Sequence, residues 1–494
     1  MSPLTRPKTK GSQLSKLAAL VSGTCTDDAQ VFGITHDSRF VKPGDLYVAL
    51  SGANAHGIEF LAEAMANGAV AVATDAHGAE IANQNSLPVI QLTDARKDMA
   101  KLAAEIYGNP ETKLILTGVT GTNGKTTTTH MLRSMFLDAG KHVGVIGTLG
   151  TYLDEEHLPG ARTTPESTDL YATLAVMVER GITHVFMEVS SHALVLHRVE
   201  GIKFDVAIFT NLTQDHLDFH GTMENYYAAK ALLFTPELAK QAVICTDDSW
   251  GTKLASQPLI PVTTIGSGGN WKTSKAVSDS SGMTTSQVEI PNSESITLAV
   301  NMLGAFNATN ATCALAASQL LGLSLSEALT SLKRVRPIPG RLEQVAISSP
   351  GTAIVDYAHT PDAVATVLTV IRDANPNKII TVIGCGGDRD SLKRPLMGKV
   401  AAALSDIVIV TDDNPRSENP DEIRKSICEG AKGGSAQMFE VADRRVAISK
   451  ALKLAQPGDV IAVLGKGHES GQEIKGEILP FDDRIVVRQE SENV

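Results

Sequence analysis

A chain of 494 residues exceeds what one hydrophobic core usually serves, so about three domains are expected. Its 44 Lys+Arg against 55 Asp+Glu leave a net charge of −11, which argues against a general binder of nucleic acid or anionic membrane, since such proteins need a basic footprint. Cys25, Cys245, Cys313, Cys385 and Cys428 are scattered, with no CxxC pair or Cys/His cluster, so neither a disulfide framework nor a zinc site is expected.

Near the start only Leu17–Val21 is continuously apolar, too short for a signal-peptide core or a membrane span, and a cytoplasmic protein is expected. Up to residue 109, β-type runs at 44–50, 70–74 and 88–92 alternate with one helical pattern at 57–67. They predict a small α/β domain over 1–109, closed at Asn109-Pro110 because a residue before proline avoids the helix. A second block, 110–337, opens with an apolar strand at 113–119, a glycine-rich turn and a helical pattern at 126–139. Strands at 142–146, 184–189 and 204–211 then alternate with helices at 167–180 and 223–234, predicting a mostly parallel sheet covered on both faces. Residues 266–286, rich in Gly, Ser and Thr, predict a surface excursion of loops or short hairpins.

Beyond Pro337-Ile338-Pro339-Gly340 the alternation resumes, with strands at 353–357, 379–384, 407–411 and 460–465 and helices at 361–374, 395–404, 421–432 and 443–455. This predicts a Rossmann-like α/β domain over 338–494. No G-x-G-x-x-G follows its first strand, so dinucleotide binding is poorly supported. The fold class is therefore α/β in three domains, with a central sheet like that of P-loop ATPases.

The loop Gly121, Thr122, Asn123, Gly124, Lys125, Thr126 sits where the second block's first strand turns into a helix. There backbone N–H groups and the helix dipole favour phosphate, a lysine reaches the β/γ oxygens, and a threonine hydroxyl can hold Mg²⁺. Val119 stands where the general phosphate-loop pattern has glycine, so this is a variant of it. No N-K-x-D guanine reader is present. The strand at 184–189 instead delivers Glu188, followed by Ser190, at a strand's carboxyl end, where open α/β folds bind ligands, and oxygen donors suit Mg²⁺. Asp215, His216, Asp218 and His220 read either as a metal cluster or as a polar loop; the phosphate loop nearby favours magnesium over zinc chemistry. Lys230, on an Ala-rich helix, reads from its neighbours alone as a solvated lysine.

Taken in order, G-T-N-G-K-T-T, M-E-V-S-S-H, N-L-x-x-D-H-L-D-x-H, Y-x-A-A-K and L-x-G-x-F-N-x-x-N resemble the Mur ligase superfamily over nearly the whole chain. His36-Asp37-Ser38-Arg39, Thr163-Thr164-Pro165, Asp413-Asn414-Pro415-Arg416 and Gly465-Lys466-Gly467-His468-Glu469 resemble its MurE type. The resemblance implies an ATP- and Mg²⁺-dependent ligase joining meso-diaminopimelate to UDP-N-acetylmuramoyl-L-alanyl-D-glutamate through an acyl phosphate. It implies small-molecule partners only, with no nucleic acid or membrane, and the chain is expected to be a monomer.

By the same resemblance, Gly121 to Thr127, Asn307, Asn310 and Arg341 contact ATP, and Lys125, Glu188, His216 and Lys230 serve catalysis. Lys230 would carry a CO₂-derived carbamate and hold Mg²⁺ with Thr126 and Glu188. Ser38, Thr163, Thr164, Ser190, Arg198 and Lys230 would bind the muramyl substrate; Arg162 stands before the paired threonines, where the family often has Asn. Arg389, Asp413, Asn414, Pro415, Arg416, Gly465 and Glu469 would bind diaminopimelate. In this site Arg416 takes the distal carboxylate and is left unpaired when lysine binds, while Glu469 pairs with the amine of the same centre. His359 and Asp356 are candidates for the amine's base, with a structural role as the other reading. Two alternatives stand beside this: the same reaction with L-lysine, and a nucleotide-dependent binding protein on a ligase scaffold.

Overall fold

The computed structural model describes residues 6–52, 55–85, 87–160, 162–279, 282–291 and 293–494. Near the N-terminus five strands pair in the order Thr24–Cys25, Val89–Gln91, Ala69–Thr74, Asp45–Ala49, Gly33–Thr35, parallel except for the first pair. The expected helix at 57–67 divides into a 3₁₀ turn, Gly57–Phe60, capped by His56, and a short α-helix, Leu61–Ala66. A longer helix in this region is Ala95–Ile106, which the strand-and-turn reading passed over. Asp94 caps it by accepting from Lys97 N at 3.2 Å. Met99, Leu102 and Ile106 recur at helical spacing and pack with Leu170, Leu174 and Met177 of the helix Ser167–Glu179. That packing makes the first two blocks share one continuous apolar core.

In the central sheet seven strands run parallel in the order Val143–Gly147, His184–Glu188, Ile115–Thr120, Val206–Phe209, Ala242–Cys245, Val262–Gly266, Trp271–Thr273. Chain order departs in opposite directions from Ile115–Thr120, which makes its carboxyl end a topological switch point, the place where open α/β sheets bind ligands. Of the excursion expected at 266–286, the short-hairpin reading holds: Val277–Ser278 pairs with Thr284–Glu289, which joins the main sheet antiparallel to Trp271–Thr273. Thr284, Ser286 and Val288 alternate inward, a period of two carried by small polar residues that composition alone reads as loop. Residues 280–281 of that stretch lie outside the described ones. The helix Ala305–Leu320 is buried along most of its length, so it shows no polar stripe to reveal it in sequence.

The last block carries six strands in the order Glu343–Val345, Thr352–Asp356, Val460–Leu464, Ile379–Ile383, Ile407–Val410, Gln437–Glu440, parallel after the first pair. A hairpin, Gly471–Ile474 with Glu477–Pro480, follows. Leu303 and Phe306 of the central block pack into the core of this one.

Candidate active site

The strand Ile115–Thr120 feeds the loop at the switch point, and the helix Lys125–Asp138 begins there. Two glycines are required by space as well as by backbone. A Cβ on Gly121 would lie 1.9 Å from Thr210 Oγ1, and one on Gly124, at φ 86°, 2.4 Å from Asn310 Oδ1. Asn211 shapes the loop further, its backbone carbonyl accepting from Thr122 N and its Oδ1 from Asn123 N, both at 2.9 Å. Lys125 Nζ donates to the carbonyls of Gly121 (2.8 Å) and Thr122 (2.9 Å), arching over the loop where phosphate oxygens would sit.

Around this loop lies a cavity of about 430 Å³. Among the residues lining it are Gly124 to Thr127, Glu188, His216, Asn307, Asn310 and, from the last block, Arg341, Tyr357 and His359. Thr163 and Ser190 line it as well. Glu188 is buried, with Oε1 accepting from Thr148 N at 2.8 Å and Oε2 from Thr148 Oγ1 at 3.0 Å. Thr148 carried no signal in the sequence. Thr126 Oγ1 accepts from Arg341 Nη2 at 3.0 Å, and the Arg341 guanidinium lies over the Tyr357 ring at 4.9 Å. Asn310 donates to Asn307 Oδ1 at 3.3 Å, and Asn307 to Leu303 O at 2.7 Å, which orients Asn310 beside Gly124.

One buried carboxylate and one hydroxyl facing a phosphate loop fit Mg²⁺, which keeps water and substrate phosphates as its other ligands. Among the described residues no three His, Cys, Asp or Glu side chains converge on a point, so the cluster reading of 215–220 gives way to that of a polar loop. His216 sits at φ 54° at the head of that turn, 3.5 Å from Asp215. Burial, against the pull of Asp215, keeps its imidazole neutral. His220 turns away and meets Ser191 Oγ at 2.9 Å.

The reading of Lys230 as solvated is overturned: it is 1 % exposed, because its helix packs that face against the loop rather than toward solvent. Its Nζ donates to Gly121 O at 2.9 Å and lies 4.7 Å from the Tyr226 ring centre. Burial first, then the neighbouring Lys125 charge, pushes its pKa well below the ordinary lysine value, which favours the neutral amine. It does not line the cavity but sits behind the Gly121 carbonyl that Lys125 also holds.

Thr164 Oγ1 donates to Glu188 O at 2.9 Å and accepts from Ser190 N at 3.1 Å, placing the threonine pair beside the carboxylate. Arg198 donates to Thr164 O at 3.2 Å and pairs with Glu166 at 2.7 Å; Arg162 and Arg96 gather on the same glutamate. Ser38 stands apart from the cavity and bonds Glu63 at 2.5 Å.

Of the two candidate bases, Asp356 is structural in this conformation. Its oxygens accept from Leu342 N (2.6 Å) and Ala358 N (2.7 Å), tying down the positive-φ Leu342 just past the hinge. His359 Nε2 faces Asp215 at 3.9 Å across the two blocks, and burial lowers its pKa to about 4.

The carboxyl ends of the last sheet's strands gather the third group. Asp413 to Arg416 follow Ile407–Val410, and Gly465 to Glu469 follow Val460–Leu464. Asn414 Nδ2 donates to Glu469 Oε2 at 2.8 Å. Lys466, buried and not singled out from sequence, donates to Asn414 Oδ1 (2.9 Å) and Glu469 Oε2 (3.1 Å). A Cβ on Gly465 would crowd Asp413 Oδ2 at 3.0 Å. Arg389 is exposed, donating to Asp388 O at 3.0 Å. Arg416 has partners within the chain: its Nε donates to Glu473 Oε2 at 3.2 Å and its Nη1 to Gly387 O at 2.6 Å.

Family models described as the Mur ligase middle domain, the Mur ligase glutamate ligase domain and the Mur ligase family catalytic domain match residues 119–318, 340–467 and 30–107. The chain belongs to the Mur ligase family. A curated relative from Streptomyces avermitilis named UDP-N-acetylmuramoyl-L-alanyl-D-glutamate--2,6-diaminopimelate ligase is 44% identical over 487 residues, with 96% of each chain covered. A relative of the same name from Corynebacterium glutamicum is 44% identical, over 92% of this chain and 90% of its own. A solved structure described by that name aligns with a TM-score of 0.67 at 30% identity, covering 98% of this chain and 99% of its own. A MurF structure from Thermotoga maritima in complex with ADP, at 20% identity and a TM-score of 0.65, covers 93% of this chain and 98% of its own and shares the fold.

Proposed function

We propose that this chain is the ATP-dependent ligase that joins meso-diaminopimelate to the D-glutamyl γ-carboxylate of UDP-N-acetylmuramoyl-L-alanyl-D-glutamate in peptidoglycan precursor synthesis. The observation that carries the reading is the shared cavity: phosphate loop, buried Glu188, Thr163 and Ser190 on one wall, Arg341 and His359 of the last block on the other. Both half-reactions need such a site. A γ-carboxylate oxygen attacks the γ-phosphorus, the bond to the ADP oxygen breaks, and an acyl phosphate results. The amine nitrogen then attacks the acyl carbon, phosphate leaves, and the nitrogen loses a proton.

Phosphoryl transfer is mostly positioning and charge stabilisation. Lys125 and the loop amides hold the β- and γ-phosphates, Asn307 and Asn310 contact the nucleotide from the cavity wall, and Arg341 adds positive charge from the closing side. Thr126, Glu188 and a carbamylated Lys230 would hold Mg²⁺, whose charge offsets that of the phosphates. The depressed pKa of Lys230 supports the carbamate, because the neutral amine is the form that attacks CO₂. Thr163, Thr164, Ser190 and Arg198 orient the glutamyl carboxylate, with Ser38 on the uridine side. Arg389, Asp413 to Arg416, Gly465 and Glu469 take the amine substrate. Closure of the last block excludes water that would hydrolyse the acyl phosphate.

We assign 1–109 to the muramyl substrate, 110–337 to ATP and 338–494 to the amino acid. The enzyme acts as a cytoplasmic monomer on small molecules. The test is ADP release with and without the muramyl dipeptide and with meso-diaminopimelate or L-lysine. Release that ignores the muramyl substrate would favour the nucleotide-binding alternative, and a preference for lysine the other.

A further inference from the structure

The hairpin formed by Gly471–Ile474 and Glu477–Pro480 is stitched along the turn that carries the amine-site residues. Gln472 Nε2 donates to Asp413 O at 2.7 Å and Glu473 N to Asn414 Oδ1 at 3.0 Å. Arg416 N donates to Glu473 O at 3.0 Å, and Lys475 N to Arg416 O at 2.7 Å. This backbone pairing puts one side chain, Glu473, against the Arg416 guanidinium, Nε to Oε2 at 3.2 Å. Arg416 is 22 % and Glu473 39 % exposed, so the pair lies within reach of a ligand entering from solvent.

We propose that Glu473 is a specificity-determining residue: a resident carboxylate that occupies Arg416 until the distal carboxylate of the amine substrate displaces or joins it. The inference rests on the reading of Arg416 as the distal-carboxylate site. Two consequences have opposite signs for the two amines. Glu473 competes with the carboxylate of diaminopimelate for one guanidinium, and the two anions repel each other. With lysine, which has no distal carboxylate, Glu473 keeps the Nε of the partly buried Arg416 paired and its charge balanced. The carboxylate therefore narrows the preference for diaminopimelate while keeping the empty site satisfied.

The test is Glu473→Gln, which keeps an acceptor for Nε and removes the charge. The backbone bonds of residue 473 do not involve its side chain, so the hairpin keeps its stitching. KM for meso-diaminopimelate should fall about two- to fivefold, the scale of a half-exposed ion pair. The ratio of kcat/KM for diaminopimelate over L-lysine should rise by at least that factor. A role in holding the turn alone would change both amines alike. A ratio that stays or falls overturns the proposal, as does a gain that persists in an Arg416→Ala background. Arg416→Ala alone separates the two readings. If it collapses the ratio while Glu473→Gln does nothing, only the role of Glu473 fails. If it leaves the ratio unchanged, the amine-site reading fails with it.

Discussion

Lys125 and Lys230 reach one carbonyl, that of Gly121, from two different helices. Lys125 lies on the cavity wall and Lys230 behind it, so their replacement should have different consequences. Lys125→Ala removes the cation proposed to hold the γ-phosphate and little of the core. Ligation should drop by at least ~2.7 kcal/mol of transition-state stabilisation, by analogy with a single oxyanion donor, while the circular dichroism spectrum stays native. Near-normal turnover would end the phosphate-site assignment. For Lys230 the relevant chemistry is its neutral amine. Stripping CO₂ should abolish activity and bicarbonate should restore it, with Lys230→Ala nearly inactive under both conditions. An active, Mg²⁺-loaded enzyme whose Lys230 is an unmodified amine in a crystal structure would refute the carbamate.

At the scale of elements, Arg444 and Asp483 carry the largest structural stake. Both side chains are 0 % exposed, paired through bonds of 2.8 and 2.7 Å, and Arg444 Nη2 also donates to Leu464 O at 3.0 Å. The pair ties the helices Arg444–Leu454 and Asp483–Ser491 to the strand end that precedes Gly465. Asp483→Ala leaves the arginine buried and unpaired, and should cost about 3–5 kcal/mol in denaturant unfolding. Replacing both by apolar residues, Arg444→Met with Asp483→Leu, should recover much of that; no recovery would mean the pair is not what holds the helices. The pair was not legible in sequence: the helix at 443–455 and the strand at 460–465 were expected, but no element was expected at Asp483–Ser491. Four parallel strands of each large sheet were legible, because buried strands are continuous apolar runs between turn signals, whereas Ala242–Cys245, Val262–Gly266, Trp271–Thr273 and Gln437–Glu440 were not expected. The amphipathic helix Pro361–Asp373 was legible, whereas Ala305–Leu320, buried on most sides with its polar residues scattered, was missed, as were the short helices Ser249–Ser256 and Leu325–Leu332. The site follows the same division. Residues at strand ends, Glu188 and the phosphate loop, announced themselves, whereas Thr148 and Lys466 acquire meaning only from the carboxylates the fold brings to them.

Across the whole molecule, the cores predict how the domains are coupled. The first two blocks share apolar packing through Ala95–Ile106 and Ser167–Glu179, so they should unfold as one cooperative unit. The last block has its own core and meets the central one through Leu303, Phe306 and a few polar contacts at the cavity, Arg341 to Thr126 and His359 to Asp215. Calorimetry should therefore resolve two transitions, with Met99→Ala and Leu170→Ala both lowering the first. On the proposed assignment nucleotide would contact both sides of the cavity, which would couple the second transition to ATP binding. A non-hydrolysable ATP analogue at 100 times its Kd should stabilise the last block as well as the central one, by up to about 2.7 kcal/mol. Arg341 crosses from the last block to the phosphate-loop helix, and its Nε is buried with no partner among the described residues. Arg341→Ala should accordingly remove most of the nucleotide-induced shift in the second transition while leaving the first responsive. If the analogue stabilises only the first transition in the native protein, the last block does not close on nucleotide, and Arg341 has no role in ATP binding.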